Sequence, residues 1–293
     1  MVKKRSSKIL KFFANWWALI LLFIGFSVLN TITLIQSIES YDYTVETNAF
    51  FAPFEYYDNR QIVGVDVEII NRVAEKLDAN IDIKNVEFGM IIDNVANGVI
   101  TDAGAAGITI TPARAEKVDF SIPYYTSVQY VIFDPNSPPE IKDNYIVWDA
   151  LKGKIIGTQT GSTGYLFASD EIEEGILKNS GTTLKGLDSH QLSADAIKAH
   201  IIDYAIADEL AAQFIIEKNP GLATLPLYYT AETPDEADYP AEESYAIAVN
   251  KQRPELLEAF NEVLNGMLIP DENGKTEMDK LILKYMGLSE EES

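Results

Sequence analysis

The chain has 293 residues, 47% of them hydrophobic, which is enough for one large or two medium domains with real cores and too apolar for a disordered protein. Its 23 basic and 45 acidic side chains give a net charge of -22, and a body that acidic repels nucleic acid and anionic lipid heads. With no cysteine and two histidines, His190 and His200, disulfides, thiol catalysis, a lipidated N-terminal cysteine and a histidine-rich metal site are all excluded.

The first forty residues carry five of the basic side chains, Lys3 to Lys11, and only Glu39 as an acid, so the remainder holds 18 basic against 44 acidic groups. After that basic head, Phe12 to Ile35 run without a charge. This is long for the h-region of a cleaved signal and long enough to span a bilayer core, and the basic flank predicts a cytoplasmic N-terminus with the body exported. An uncleaved anchor over residues 1–40 is therefore the expectation, in preference to a cleaved signal peptide.

YTVET, Tyr43 to Thr47, alternates as a strand, and NAFFAPFEY crowds aromatic residues around Pro53 in a turn, with Phe50 and Phe54 expected in the core. Val67, Ile70, Val73, Ala74 and Leu77 recur at helical spacing, so Asp66 to Leu77 reads as an amphipathic helix. Ile81 and Ile83 alternate with polar residues in a second strand ending at VEF, and GMIIDNVANG reads as a helix stopped by Gly98. Strand, helix, strand, helix is the rhythm of a parallel α/β sheet. Tyr130 to Phe133 is a short strand; beyond the turn-rich DPNSPPE, the segments KIIGT, TTLKGL, DYAIA and LATLP are strands between helices near Tyr165 to Leu177, Ser193 to His200 and Asp208 to Glu217. TAETPDEADYPAEE reads as an acidic surface loop, YAIAV as a last strand, and Glu255 to Met267 and Thr276 to Met286 as closing helices.

The stretch from Asp102 to Tyr125, DAGAAGITITPARAEKVDFSIPYY, carries the chemistry. Thr111 suits a helix N-cap and Pro112 the first helical position, which sets Arg114 near the Thr109 and Thr111 hydroxyls at a helix start. A guanidinium fork with neighbouring hydroxyl and N–H donors is built for a carboxylate. The bland alternative is an ordinary helix cap with a solvated arginine. GTQTGSTG follows a strand and precedes a helix, so the backbone N–H groups of Ser162 and Thr163 are further candidates for that carboxylate; it lacks the lysine of a phosphate loop and does not fit G-x-S-x-G.

AGITITPARAEKVDFSIPYY resembles the central signature of the extracytoplasmic amino-acid-binding proteins of ABC importers, the bacterial solute-binding proteins of family 3 that include the glutamine, histidine and lysine/arginine/ornithine binding proteins. TNAFFAPFEYYDNRQIVGVDVEIINRVAEKL, LKGKIIGTQTGSTGY and IIDYAIADE resemble further motifs of the family in the expected order, from about Tyr43 to Gly287. The resemblance implies a type II periplasmic-binding-protein-like fold: two α/β lobes joined by a two-stranded hinge near Tyr124 to Val128 and Glu242 to Tyr245, after an N-terminal hydrophobic helix. Lobe 1 would comprise residues 41–125 and 245–293, and lobe 2 residues 126–244.

For the ligand, the resemblance implies an α-amino acid, whose two charges must both meet partners in a buried site. Arg114 and Thr109 would take the carboxylate, joined by Ser162 and Thr163; Asp208, at the end of the DYAIA strand, and the Gly107 carbonyl would take the ammonium. Asp208 is equally placed to be a helix N-cap. Phe51 and Phe88 match the family's aromatic walls. Asn48 stands where relatives have an aspartate, which favours a polar uncharged side chain, and Gln159 stands where the glutamine-binding relative has a lysine, which weighs against extending that relative's specificity to this chain. The expected partners are this amino acid, the permease subunits and, through the N-terminal segment, the membrane, with the protein monomeric, extracytoplasmic and free of cofactors, metal and catalytic residues. The alternatives are an enzyme like the dehydratases of cyclic carboxylic acids on this fold, for which Asp208 is the one buried acid the sequence offers, and an anchored amino-acid sensor.

Overall fold

The computed structural model describes residues 41–288 other than 232, 234 and 235, together with Ile24. The expected N-terminal helix or anchor lies outside the described residues, among which no helix is long and apolar enough to cross a membrane.

Two α/β sheets organise the body. In the first, the strand order is Ile81–Asn85, Tyr43–Thr47, Ala103–Gly104, Ala248–Val249, Asp119–Phe120. The first three are parallel and Ala248–Val249 pairs antiparallel with both of its neighbours. Helix Val65–Leu77 covers this sheet because Val65, Ile69, Ile70 and Val73 fall on one face and are fully buried. It packs against helix Pro254–Met267, which supplies Leu256, Phe260 and Leu264 to the same core. The closing helix Glu277–Met286 starts at a capping box, in which Thr276 and Asp279 satisfy each other's backbone N–H.

The second sheet runs Thr183–Leu187, Ile155–Gln159, Tyr204–Asp208, Tyr125–Phe133, Ala223–Tyr229, Tyr239–Pro240. Helices Thr163–Glu173, His190–Lys198 and Glu209–Lys218 cover it, and two apolar clusters around Trp148 and Ile156 and around Ile132 and Ala205 fill its faces. The strand read as Tyr130 to Phe133 begins earlier, at Tyr125, because its first residues pair antiparallel with Glu242–Tyr245, from Tyr125↔Tyr245 to Val128↔Glu242. These paired segments are the two chain crossings between the sheets.

The aromatic turn is more ordered than its proline suggested. Phe50–Phe51, Glu55–Asp58 and Gln61–Val63 form a small antiparallel sheet. Alternation along its first strand puts Phe51 inside and leaves Phe50 54% exposed, so the expectation of a core Phe50 is corrected, while Phe54 is fully buried as expected. Similarly, YAIAV is not one strand: Glu242–Tyr245 belongs to the crossing and Ala248–Val249 to the first sheet.

Candidate ligand-binding cleft

The cleft lies where the loop after Ala103–Gly104 and the start of helix Pro112–Lys117 face the start of helix Thr163–Glu173 and the end of strand Tyr204–Asp208. Thr111 caps the first of these helices, accepting from the Arg114 N–H at 3.2 Å, with Pro112 at its first position. That cap turns the Arg114 side chain inward, where it is 7% exposed. Its guanidinium donates to the Thr109 carbonyl at 2.8 Å and, across the cleft, to the Gly161 carbonyl at 2.9 Å. Phe88 flanks it, with the guanidinium carbon 5.7 Å from the ring centre. Burial lowers the Arg114 pKa, against the opposing pull of Glu243 and Asp208.

Asp208 stands at the N-cap of helix Glu209–Lys218 but makes no side-chain cap, which frees its carboxylate for the cleft. Gln129 Nε2 donates to its Oδ1 at 2.6 Å, and the Tyr245 hydroxyl donates to its Oδ2. The same Gln129 Nε2 donates to Glu243 Oε1. The other oxygen of Glu243 accepts from the hydroxyls of both Thr109 and Thr163, each at 2.5 Å, and those hydroxyls lie 2.9 Å apart. One carboxyl group on the crossing strand thus ties together side chains from both halves. Burial, then the neighbouring Asp208 charge, pushes the Glu243 carboxyl well above its ordinary range.

At the other end, Asn48 donates to the Val86 carbonyl at 2.7 Å and accepts from Gln159 Nε2 at 2.8 Å, so two neutral amides join the halves. Beyond them a cavity of about 380 Å³ is lined by Phe88, Gln159 and two carboxylates, Glu87 and Asp188. Phe51 stacks on Phe54 and meets His190 from the facing helix, with ring centres 5.6 Å apart in both cases. Burial lowers the His190 pKa and keeps its imidazole neutral. Gly107 has φ of +54°, and a Cβ there would sit 2.4 Å from the Phe51 ring, so only glycine lets that ring lie flat on the loop. Gly161, at φ +79°, also makes a tight approach: a Cβ on it would lie 2.9 Å from the Gly89 Cα.

Beneath Phe51 and Phe54, Asp66 accepts from the Gly107 N–H at 2.9 Å and the Tyr124 hydroxyl at 2.6 Å. Burial raises its pKa to about 6 and, together with Asp66, pushes the adjoining Glu55 well above the usual carboxylate range.

The structure brings Arg114, Thr109, Thr163 and Asp208 into one cluster, and Asn48, Gln159 and Phe88 beside it. The role foreseen for the Ser162 N–H is corrected: it donates to the Gln159 carbonyl at 3.1 Å inside the glycine turn, while the Ser162 hydroxyl caps the following helix. Thr163 enters through its hydroxyl. Glu243, Gln129 and Tyr245 were missed, as was the buried pair Glu55 and Asp66, so Asp208 is one of several buried acids. Glu243 lies two residues before Tyr245, and that spacing on a strand was the available signal.

Residues 43–287 match the family model of bacterial extracellular solute-binding proteins, family 3. Over 242 residues the chain is 29% identical to the arginine-binding extracellular protein ArtP of Bacillus subtilis (strain 168), covering 82% of this chain and 84% of the relative. A probable histidine-binding protein of Neisseria gonorrhoeae is 27% identical over 248 residues, 83% and 82% of the two chains. Among solved structures, the substrate-binding protein AbpA of an amino acid ABC transporter from Streptococcus pneumoniae Canada MDR_19A, bound to L-arginine, superimposes with a TM-score of 0.69 at 28% identity, over 84% of this chain and 94% of the other. An ancestral arginine-binding protein bound to glutamine gives 0.65 at 29% identity, over 84% and 97%.

Proposed function

This chain belongs to the family 3 bacterial extracellular solute-binding proteins, and from that premise we propose that it captures a free amino acid with a polar uncharged side chain and delivers it to the permease of an ABC importer. The observation that carries the reading is the convergence of Arg114 and Asp208, from opposite halves, on one buried cluster. A zwitterion needs one partner of each sign, and burying either charge unpaired costs several kcal/mol. Arg114 with the Thr109 and Thr163 hydroxyls meets the α-carboxylate; Asp208 and the Gly107 carbonyl meet the ammonium. Phe51 and Phe88 wall the side chain, and the amides of Asn48 and Gln159 offer it hydrogen bonds without charge. Membership in a family of binding proteins supports a receptor over an enzyme.

A second reading, a cationic side chain, is favoured by Glu87 and Asp188, which line the cavity just past the amides and would offer a guanidinium two acidic partners. Calorimetric titration with L-glutamine, L-asparagine, L-serine, L-histidine, L-lysine and L-arginine separates the two. We expect one uncharged member to bind with a Kd of about 1 μM or tighter, near -8 kcal/mol. Tightest binding by L-arginine or L-lysine overturns the side-chain assignment alone, and no binding by any of the six overturns the amino-acid reading.

A further inference from the structure

Resting on that reading, we propose that Glu243 takes up one proton from solvent as the cleft closes on its amino acid, so that capture is linked to pH. Glu243 is the point where the halves and the crossing meet. Its carboxyl holds Thr109 from the first half, Thr163 from the second and Gln129 from the partner strand of the crossing. Thr109 and Thr163 come from opposite halves, so parting the halves breaks at least one of these contacts and gives this carboxyl to water, while the Gln129 contact lies within the crossing.

Charge matching fixes the direction. In the closed cleft the ligand carboxylate is met by Arg114 and its ammonium by Asp208, which leaves an ionised Glu243 without a counter-charge in a buried place. The charged and titratable groups around it are Arg114 on its helix, Asp208 and Tyr245 in direct contact with the cluster, and His190, Glu55 and Tyr125 further along through Asp208. His190 is neutral, the two tyrosines and Glu55 bring no positive charge, and the Arg114 guanidinium already serves two backbone carbonyls and the ligand. The proton therefore passes from buffer to a Glu243 oxygen on closing and returns on opening. The upward push on the Glu243 carboxyl in this geometry agrees. Asp66 and Glu55 make no such exchange, since the groups that bond Asp66, Gly107 and Tyr124, all come from the same half and stay buried as the cleft opens.

The experiment is calorimetry with L-glutamine and L-arginine as probes, comparing phosphate with Tris at about pH 7.5, where both buffer and their ionisation enthalpies differ widely, and following affinity in phosphate between about pH 6 and pH 8. We expect the binding heat to differ between the buffers with the sign of proton uptake, and affinity to weaken by up to about tenfold per pH unit between the Glu243 midpoint of the open form and the higher midpoint of the closed form. In Glu243→Gln the buffer difference disappears, whatever the remaining affinity; should that variant not fold, the wild-type heats and pH profile decide alone. Binding with equal heats in both buffers, a proton release, or a buffer difference that survives in Glu243→Gln overturns the proposal and leaves the receptor standing. No heat with these two probes or with the other four amino acids of the panel overturns both.

Discussion

The molecule buries two pairs of carboxyl groups within one region and uses them differently. Glu55 and Asp66 sit under the aromatic sheet, and Asp66 is bonded by Gly107 and Tyr124, which hold the loop that carries Gly107. Asp208 and Glu243 sit at the chain crossings, bonded by Gln129, Tyr245, Thr109 and Thr163, a set drawn from both halves, with Arg114 close by. Burial raises a carboxyl in each pair, so burial alone does not separate a structural acid from a functional one. What separates the pairs is where their partners lie: Asp66 is bonded by Gly107 and Tyr124, while Glu243 is bonded by Thr109 beside the first sheet and Thr163 beside the second.

That contrast can be broken experimentally at the wall between the pairs. Phe51 touches Gly107 on one side and His190 on the other, and Phe51→Ala should cost about 3–5 kcal/mol in denaturant unfolding through the cavity it leaves. Arg114→Ala tests the cation that only the crossing pair possesses: amino-acid affinity should fall by about 100-fold or more, near 3 kcal/mol, in calorimetry, because two buried acids lose their positive neighbour. For the structural pair the prediction is a pH slope in stability. The Asp66 pKa is raised in the folded protein to about 6, so its contribution is fully present below its unfolded value near 3.8 and is lost as pH rises through about 6. Wild-type unfolding free energy should carry this slope, on the order of 1–3 kcal/mol, and Asp66→Asn should flatten it in paired denaturation curves at pH 5 and pH 7. The smallest effect belongs to Phe50→Ser, which removes an exposed ring packed edge-on against Tyr57; a shift beyond about 0.5 kcal/mol would show that the aromatic sheet leans on its outer face after all.

Much of this architecture is legible in the chain itself. Helix Val65–Leu77 follows from its apolar spacing, and the turn into Arg114 follows from Thr111 and Pro112, because these signals are local. Phe50 misled because a two-residue strand gives alternation too little length to declare which aromatic points inward. Glu243 was hidden by its company: it closes an acidic run, TAETPDEADYPAEE, in which each carboxylate looks solvated, and only pairing with Tyr125–Phe133 turns it under the protein. Ser162 was half legible, since the glycine turn was evident but not that the turn would consume the Ser162 N–H itself. Long-range pairing hid Glu243, whereas Phe50 and Ser162 turned on local backbone detail too short to leave a pattern.

The approach of Gly161 to Gly89 makes the bite of this receptor depend on two bare backbones meeting. A Cβ at Gly89 would meet the Thr160 carbonyl oxygen at an ordinary 3.5 Å, whereas one at Gly161 would press on the Gly89 Cα at 2.9 Å, so Gly161→Val is the variant that should wedge the two loops apart. Such a variant would let each half's own share of the proposed grip on an amino acid be weighed separately.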